Sequence, residues 1–202
     1  MTEHHECGGT RARIQAVALD LFVEQGYDKT SLREIADRLG VTKAALYYHF
    51  RTKDDIVSSF VQDFLDELEE IIDWGRTQPV TDATRQEVIR RYAEVVLRRQ
   101  TAMRFFQQNP SAERVTIGSR FRDRMTALRG LLVAPDAPLT QRIRALAAVA
   151  TLHLAPAAIE DDCHTPEELR DALLTVSLEL VTDSQPTRPT RRTRPTRPTQ
   201  PA

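Results

Sequence analysis

An all-α fold is predicted, and three features of the chain predict it. Apolar residues recur at intervals of three and four, with no alternating run of strand type. Glycine is scarce while Ala, Leu, Arg and Glu abound. Signals that start and stop helices punctuate the chain at regular distances. Together they describe about nine helices. At 202 residues, with 41% hydrophobic and 28% charged side chains, the chain is long enough to bury one sizeable core or two small ones.

Residues 1–9 read as a polar, disordered leader. A first helix follows over about 10–25, with Ile14, Val17, Ala18, Leu21 and Phe22 on one face, and Gly26 placed to stop it. Ser31 and Glu34 have the spacing of a capping box that opens a second helix, ended at Gly40. Thr42 is placed to cap a third helix running to Phe50. Thr52 and Asp55 then open a long fourth helix to about Trp74. Pro79 precedes a helix over about 82–101, a short one follows through Phe105 and Phe106 to Pro110, and another spans about 111–133. Pro135 and Pro138 mark the turn before an apolar helix over 139–159, which Pro156 should kink or shorten. Thr165, Pro166 and Glu168 combine an N-cap, a proline in the first turn and acidic residues, a start signal for a last helix to about Thr182.

The most informative stretch is residues 32–50, two short helices meeting at a glycine turn, the geometry that presents the second helix to the major groove of DNA. Ala36 is small where the helices cross, and Gly40 permits a positive φ in the turn. Ile35, Leu39, Val41, Leu46 and Phe50 make a small core beneath. Thr42, Lys43, Ala44, Ala45, Tyr47, Tyr48 and His49 are left outside. Hydroxyls and a cation suit phosphates, and small side chains allow close approach to base edges. Lys53, at the start of the fourth helix, adds a second anion site. Residues 10–55 hold eight Lys or Arg against seven Asp or Glu, so placement rather than net charge carries this reading.

Residues 30–53, with Ile35-Ala36, Gly40-Val41, Leu46-Tyr47-Tyr48-His49-Phe50 and Lys53, resemble the DNA-binding signature of the TetR family over about residues 10–60. The resemblance implies a homodimer, a palindromic operator and, usually, repression relieved by a small-molecule effector. By motif position it implies phosphate contacts from Ser31, Thr42, Lys43, Tyr47, Tyr48, His49 and Lys53, with Thr42, Ala44 and Ala45 nearest the bases. Ala44 and Ala45 stand where many members carry a glycine and offer few polar groups for direct readout. Specificity then leans on thymine methyls, on Arg33 or on DNA shape. The domains expected are a helix-turn-helix unit over 10–55, a sensing and dimerisation unit over 56–183, and a tail over 184–202.

The C-terminal two-thirds is rich in helix and poor in motif. Val57, Phe60, Val61, Phe64, Leu68 and Ile71 form one stripe of the fourth helix, and Tyr92, Val95 and Val96 face inward from the next. Phe60, Phe64, Tyr92, Val96, Phe105, Phe106, Phe121, Met125 and His153 are candidate pocket residues, since ligand sites in helical domains are lined by such aromatics and Met. Plain core filling is the competing reading of each, and for His153 a core histidine bonded to a neighbour. A ligand wedged among them would tilt the fourth helix and alter the separation of the two recognition helices. Ala145–Ile159 carries no charge and is apolar all round, so burial on two sides is expected. Ala145, Ala148, Val149 and Leu152, with Leu169, Ala172, Leu173, Val176 and Leu180 of the last helix, are the expected half of a symmetric four-helix interface.

Composition closes other classes. The polar N-terminus is no signal peptide, and the longest charge-free run is too short to span a bilayer, so a cytoplasmic protein is expected. Cys7 and Cys163 have neither metal nor disulfide spacing, and His4, His5 and Cys7 in a glycine-flanked leader lack fixed geometry. No metal, no cofactor and no catalytic constellation is expected. Net charge is −1, and removing the five arginines of the tail leaves about −6 on the body, so a DNA surface must be a local patch. In that tail Arg188, Arg191, Arg194 and Arg197 recur every third residue among Pro and Thr, which aligns them on one edge of a polyproline helix. A solvated extension and an auxiliary phosphate-binding arm are both open. So is a DNA-binding regulator without a ligand, controlled by a protein partner or by abundance.

Overall fold

The computed structural model describes residues 4–109, 119–159 and 164–182. Among them the chain forms nine α-helices and no strand. They are α1 (His4–Gln25), α2 (Leu32–Leu39), α3 (Lys43–His49), α4 (Lys53–Arg76), α5 (Asp82–Arg98), α6 (Gln100–Gln108), α7 (Ser119–Leu132), α8 (Leu139–Ala158) and α9 (Pro166–Thr182). The side chains of His4, His5 and Cys7, the whole of Cys163 and the arginine tail lie outside the described residues.

The helices gather around two apolar clusters. The first takes Ile14, Ala18, Leu21 and Phe22 from α1, Ile35 and Ala36 from α2, Leu46 from α3, Phe50, and Ile56, Val57 and Phe60 from α4. Val17, Leu39 and Val41, expected inside, are partly buried against it. Gly26, at φ 95°, ends α1, and its N–H donates to the Phe22 carbonyl at 3.1 Å. Only a residue without a side chain takes that backbone region freely. The leader expected over residues 1–9 is corrected in part, because α1 begins at His4. Once the stripe from Ile14 to Phe22 has paid the cost of nucleation, each further N-terminal residue adds a hydrogen bond at little expense.

The second cluster is larger. Its centre is α5, whose Val88, Ile89 and Tyr92 are wholly buried against Leu68 and Ile72 of α4, Leu128 of α7, Ala148 and Leu152 of α8, and Leu173 of α9. α4 therefore belongs to both cores, the first half of its stripe to one and the second half to the other. Thr52 opens it as expected: Thr52 Oγ1 accepts from Asp55 N at 3.0 Å, and the Asp55 carboxylate accepts from Thr52 N at 2.9 Å. Near its other end α4 meets α7 closely at Gly75, where an added Cβ would lie 2.5 Å from a Leu131 methyl.

Two expectations are revised here. The helix expected over 82–101 is two helices, broken at Arg99, and the break lets α6 reach α1. Phe105 of α6 is fully buried in the first cluster, with its ring stacked 5.4 Å from that of Phe22. It is no pocket residue. The second revision concerns α8 and α9. Ala145, Ala148, Val149, Leu152 and Leu173, expected at a dimer interface, are buried inside the protomer, where α8 packs on α9 and Ser177 Oγ donates to the Ala148 carbonyl at 3.2 Å. An evenly apolar helix does not reveal which of its faces the same chain covers. Pro156 lies within α8, which ends two residues later at Ala158. No helix among the described residues is long and apolar enough to cross a membrane.

Candidate nucleic-acid interface and cavity

The turn between α2 and α3 is fixed by local chemistry. Ser31 Oγ accepts from Glu34 N at 3.2 Å while the Glu34 carboxylate accepts from Ser31 N at 2.7 Å, which completes the capping box read from the sequence. These bonds hold the Glu34 carboxyl below its ordinary range. At the other end Gly40 adopts φ 72°, and Val41 N donates to the Ala36 carbonyl at 3.0 Å. Thr42 then caps α3 by accepting from Ala45 N at 3.2 Å. Both ends of α2 and the start of α3 are thus satisfied, and the pair is a rigid platform.

On that platform Leu46 is the buried residue of α3, and the remainder face outward. Thr42, Lys43, Ala44 and Ala45 are exposed, Tyr47 is 41% exposed and Tyr48 80% exposed. A tyrosine so bare on a well-packed helix contributes nothing to the core beneath it. Lys43 Nζ lies 5.4 Å from the Tyr47 ring centroid, and His49 packs half-buried against Tyr48 with ring centroids 5.2 Å apart. Arg33 is exposed on α2 and only loosely paired with Asp37 at 3.8 Å. The sequence-expected surface is therefore brought together, with two qualifications. Ser31 Oγ also donates to Glu34 at 2.8 Å, so its hydroxyl is committed to the cap. Lys53 is half-buried, its Nζ donating to the Tyr27 carbonyl at 2.5 Å and lying 4.3 Å from the Tyr27 ring centroid. Lys53 thus clamps the α1–α2 turn. Arg51, passed over in the sequence, is exposed on the same turn.

Between α4, α6, α7 and α8 lies a cavity of about 390 Å³. Phe60, Phe64, Phe106, Phe121, Met125 and His153 line it as expected, joined by Arg99, Met103 and Leu154. Tyr92 and Val96 stand behind the wall, fully buried, and the Tyr92 hydroxyl is hydrogen-bonded to His153 Nε2. Burial pushes His153 down to about 4 and Tyr92 well above the ordinary phenol range, so both are neutral at pH 7. His153 is bonded inward to Tyr92 by one edge, as a core histidine would be, and borders the cavity with another. Arg99 and Met103 are not among the residues expected there from the sequence. The helix break at Arg99 carries no sequence signal we can identify.

Residues 14–60 match the family model described as "Bacterial regulatory proteins, tetR family". The chain is 38% identical over 60 residues to the transcriptional repressor KstR2 of Rhodococcus jostii, covering 30% of this chain and 29% of that protein. It is 51% identical over 53 residues to the regulator AcrR of Shigella flexneri, covering 26% and 25%. The chain spans about a quarter to a half of the length of the curated relatives it matches. The whole fold is shared more widely. A transcriptional regulator from Aquifex aeolicus superposes with a TM-score of 0.65 over 85% of this chain and 99% of its own, at 20% identity.

Proposed function

We propose that this chain, whose residues 14–60 match the tetR family model, is a transcriptional repressor that binds a palindromic operator as a homodimer and is released by an apolar or aromatic small molecule. The observation that carries the DNA-binding reading is the outer face of α3. It is held rigid by caps at both ends of the turn and turns Thr42 to Ala45, Tyr47 and Tyr48 to solvent. Lys43, Thr42 and the two tyrosines would meet phosphates, while Ala44 and Ala45 approach the bases and Arg33 extends the readout from α2. Lys53 acts first on the Tyr27 turn and only through it on the backbone of the DNA.

Dimerisation is supported by an apolar face that the protomer leaves uncovered. Ile143 and Leu146 of α8 and Ala172 and Val176 of α9 are exposed, with Leu169 and Leu180 half-buried at its edges. A symmetric pairing of α8 and α9 with a second copy would cover them.

Release by a ligand is supported by the cavity and by its connection to the platform. Adjacent residues of α6 connect the two regions: Phe106 borders the cavity while packing against the first core, and Phe105 is buried in that core among Phe22 and Tyr27. A ligand favouring one position of α6 would shift the first core and with it α3. The effect is bounded by the ligand's differential affinity, about 1–3 kcal/mol in typical systems, or roughly 5–150-fold in operator affinity. The cavity is also what weighs against control by a protein partner or by abundance alone.

Selection of bound duplexes from a random library tests this reading. Enrichment of a palindrome with half-sites about one helical turn apart is the expected result. Recovery of no sequence, or of single half-sites bound by a monomer, would refute it.

A further inference from the structure

Among the described residues that line the cavity, Arg99 is the one with a charge at neutral pH, since burial keeps His153 neutral. Its guanidinium donates through Nη2 to Glu67 at 2.6 Å, and Arg98 donates to the other oxygen of the same carboxylate at 2.9 Å. Two cations therefore share one anion, and the cluster keeps one unit of positive charge. Arg99 Nε is buried and has no hydrogen-bond partner among the described residues. An unpaired buried donor is costly and calls for an explanation. The other described residues of the wall present rings, thioethers and aliphatic groups.

We propose that the effector is an amphipathic monocarboxylate, with its apolar body among Phe60, Phe64, Phe121 and Met125 and its carboxylate on Arg99. This rests on the cavity being the effector site proposed above. A single carboxylate neutralises the surplus charge, and a guanidinium suits it because its planar N–H groups match the spacing of two oxygens. A neutral apolar molecule would fill the same volume and leave the surplus charge uncompensated. Arg99 stands where the helix is interrupted. A residue at the joint of α5 and α6 can pair with α4 through one edge and face the cavity with another.

The test compares decanoate with 1-decanol by calorimetry on the full chain, both below their aggregation concentrations. Wild type should prefer decanoate by about tenfold or more, the range expected for one hydrogen bond to a charged group. Arg99→Gln should bring that ratio close to one with decanol affinity unchanged. Arg99→Lys, which keeps the charge and guards against misfolding of the glutamine variant, should retain part of the preference. Glu67→Gln should raise the preference above wild type, because it frees Arg99 from its intramolecular partner. A purely structural role for Arg99 would not produce opposite changes in these two variants. Equal affinities in wild type, or the same ratio in Arg99→Gln, would overturn the carboxylate proposal while leaving the cavity as a site for apolar molecules. Binding of neither compound would overturn the effector site as well.

Discussion

The residues proposed to touch DNA all stand on the outside of a filled core, whereas those proposed to meet a ligand line a hole in one. In α1–α3 the interior is closed by Ile14, Ile35 and Leu46, and the polar side chains of the α2–α3 turn close helix ends. In α4–α8 packing is left incomplete around Phe64, and a histidine and an arginine border the gap. The difference follows from the tasks. Reading a surface of fixed geometry needs a platform that does not yield. Sensing needs two arrangements of nearly equal energy, and incomplete packing is a means of having them.

The contrast is sharpest inside α9. Leu173 is buried within the protomer, and Val176 is 45% exposed beside it. Leu173→Glu should cost the protomer about 5 kcal/mol through lost packing and a buried charge, enough to unfold it in urea titrations. Val176→Glu should leave the protomer's unfolding midpoint nearly unchanged and convert dimers to monomers in sedimentation. A folded, dimeric Val176→Glu variant would place the interface elsewhere.

Phe105 and Phe106 probe the boundary between the regions. Phe105→Ala should destabilise by about 4 kcal/mol and weaken DNA binding, although the residue lies far along the chain from the helix-turn-helix. Phe106→Ala should cost much less and alter ligand binding instead. Equal effects of the two on DNA affinity would show that the cores are not divided at this pair.

His153 gives the second core a pH dependence rooted in burial. Its value is about 4 when folded against 6.5 when exposed, so between those limits the unfolded chain binds more protons and acid favours unfolding. Stability should fall by roughly 3 kcal/mol from pH 7 to pH 4 on this account alone. His153→Gln, which still offers Tyr92 a partner but does not titrate, should flatten the curve by that amount. Parallel curves for the two proteins would mean that His153 is solvated.

The smallest effect is expected on the outer surface. Lys43→Ala should leave stability unchanged and reduce the slope of log affinity against log salt by about one unit, the signature of one phosphate contact. Lys53→Ala should instead lower stability, since its ammonium holds the Tyr27 carbonyl. An unchanged slope for Lys43→Ala would move the phosphate path off α3.

How far each region was legible follows the same division. Ser31 with Glu34, Gly40, Thr42 and Thr52 with Asp55 act on neighbours within a few residues, so sequence alone placed them and their helices. The outward face of α3 followed once Leu46 was set inside. Phe105 lies off the cavity because adjacent apolar residues on one helix point about 100° apart, and only tertiary packing decides which of the two borders the gap. Ala145, Ala148, Val149 and Leu152, expected at an interface, lie on the face of α8 that the same chain covers, for the same reason. Arg99 was invisible because its role depends on Glu67, 32 positions earlier.

Gly75 decides how motion along α4 would be scaled. If the helix rocks as a rigid rod on its contact with Leu131, Phe64 is eleven residues from that bearing and Lys53 twenty-two, about 16 and 33 Å at 1.5 Å per residue. The geometry then has a mechanical gain of about two: each ångström of displacement at Phe64 becomes two at the start of the helix. Moving the close approach one turn toward Phe64 would raise the gain to about 2.5. A glycine some 30 Å from the DNA-binding end would thus set how much movement one bound molecule delivers there.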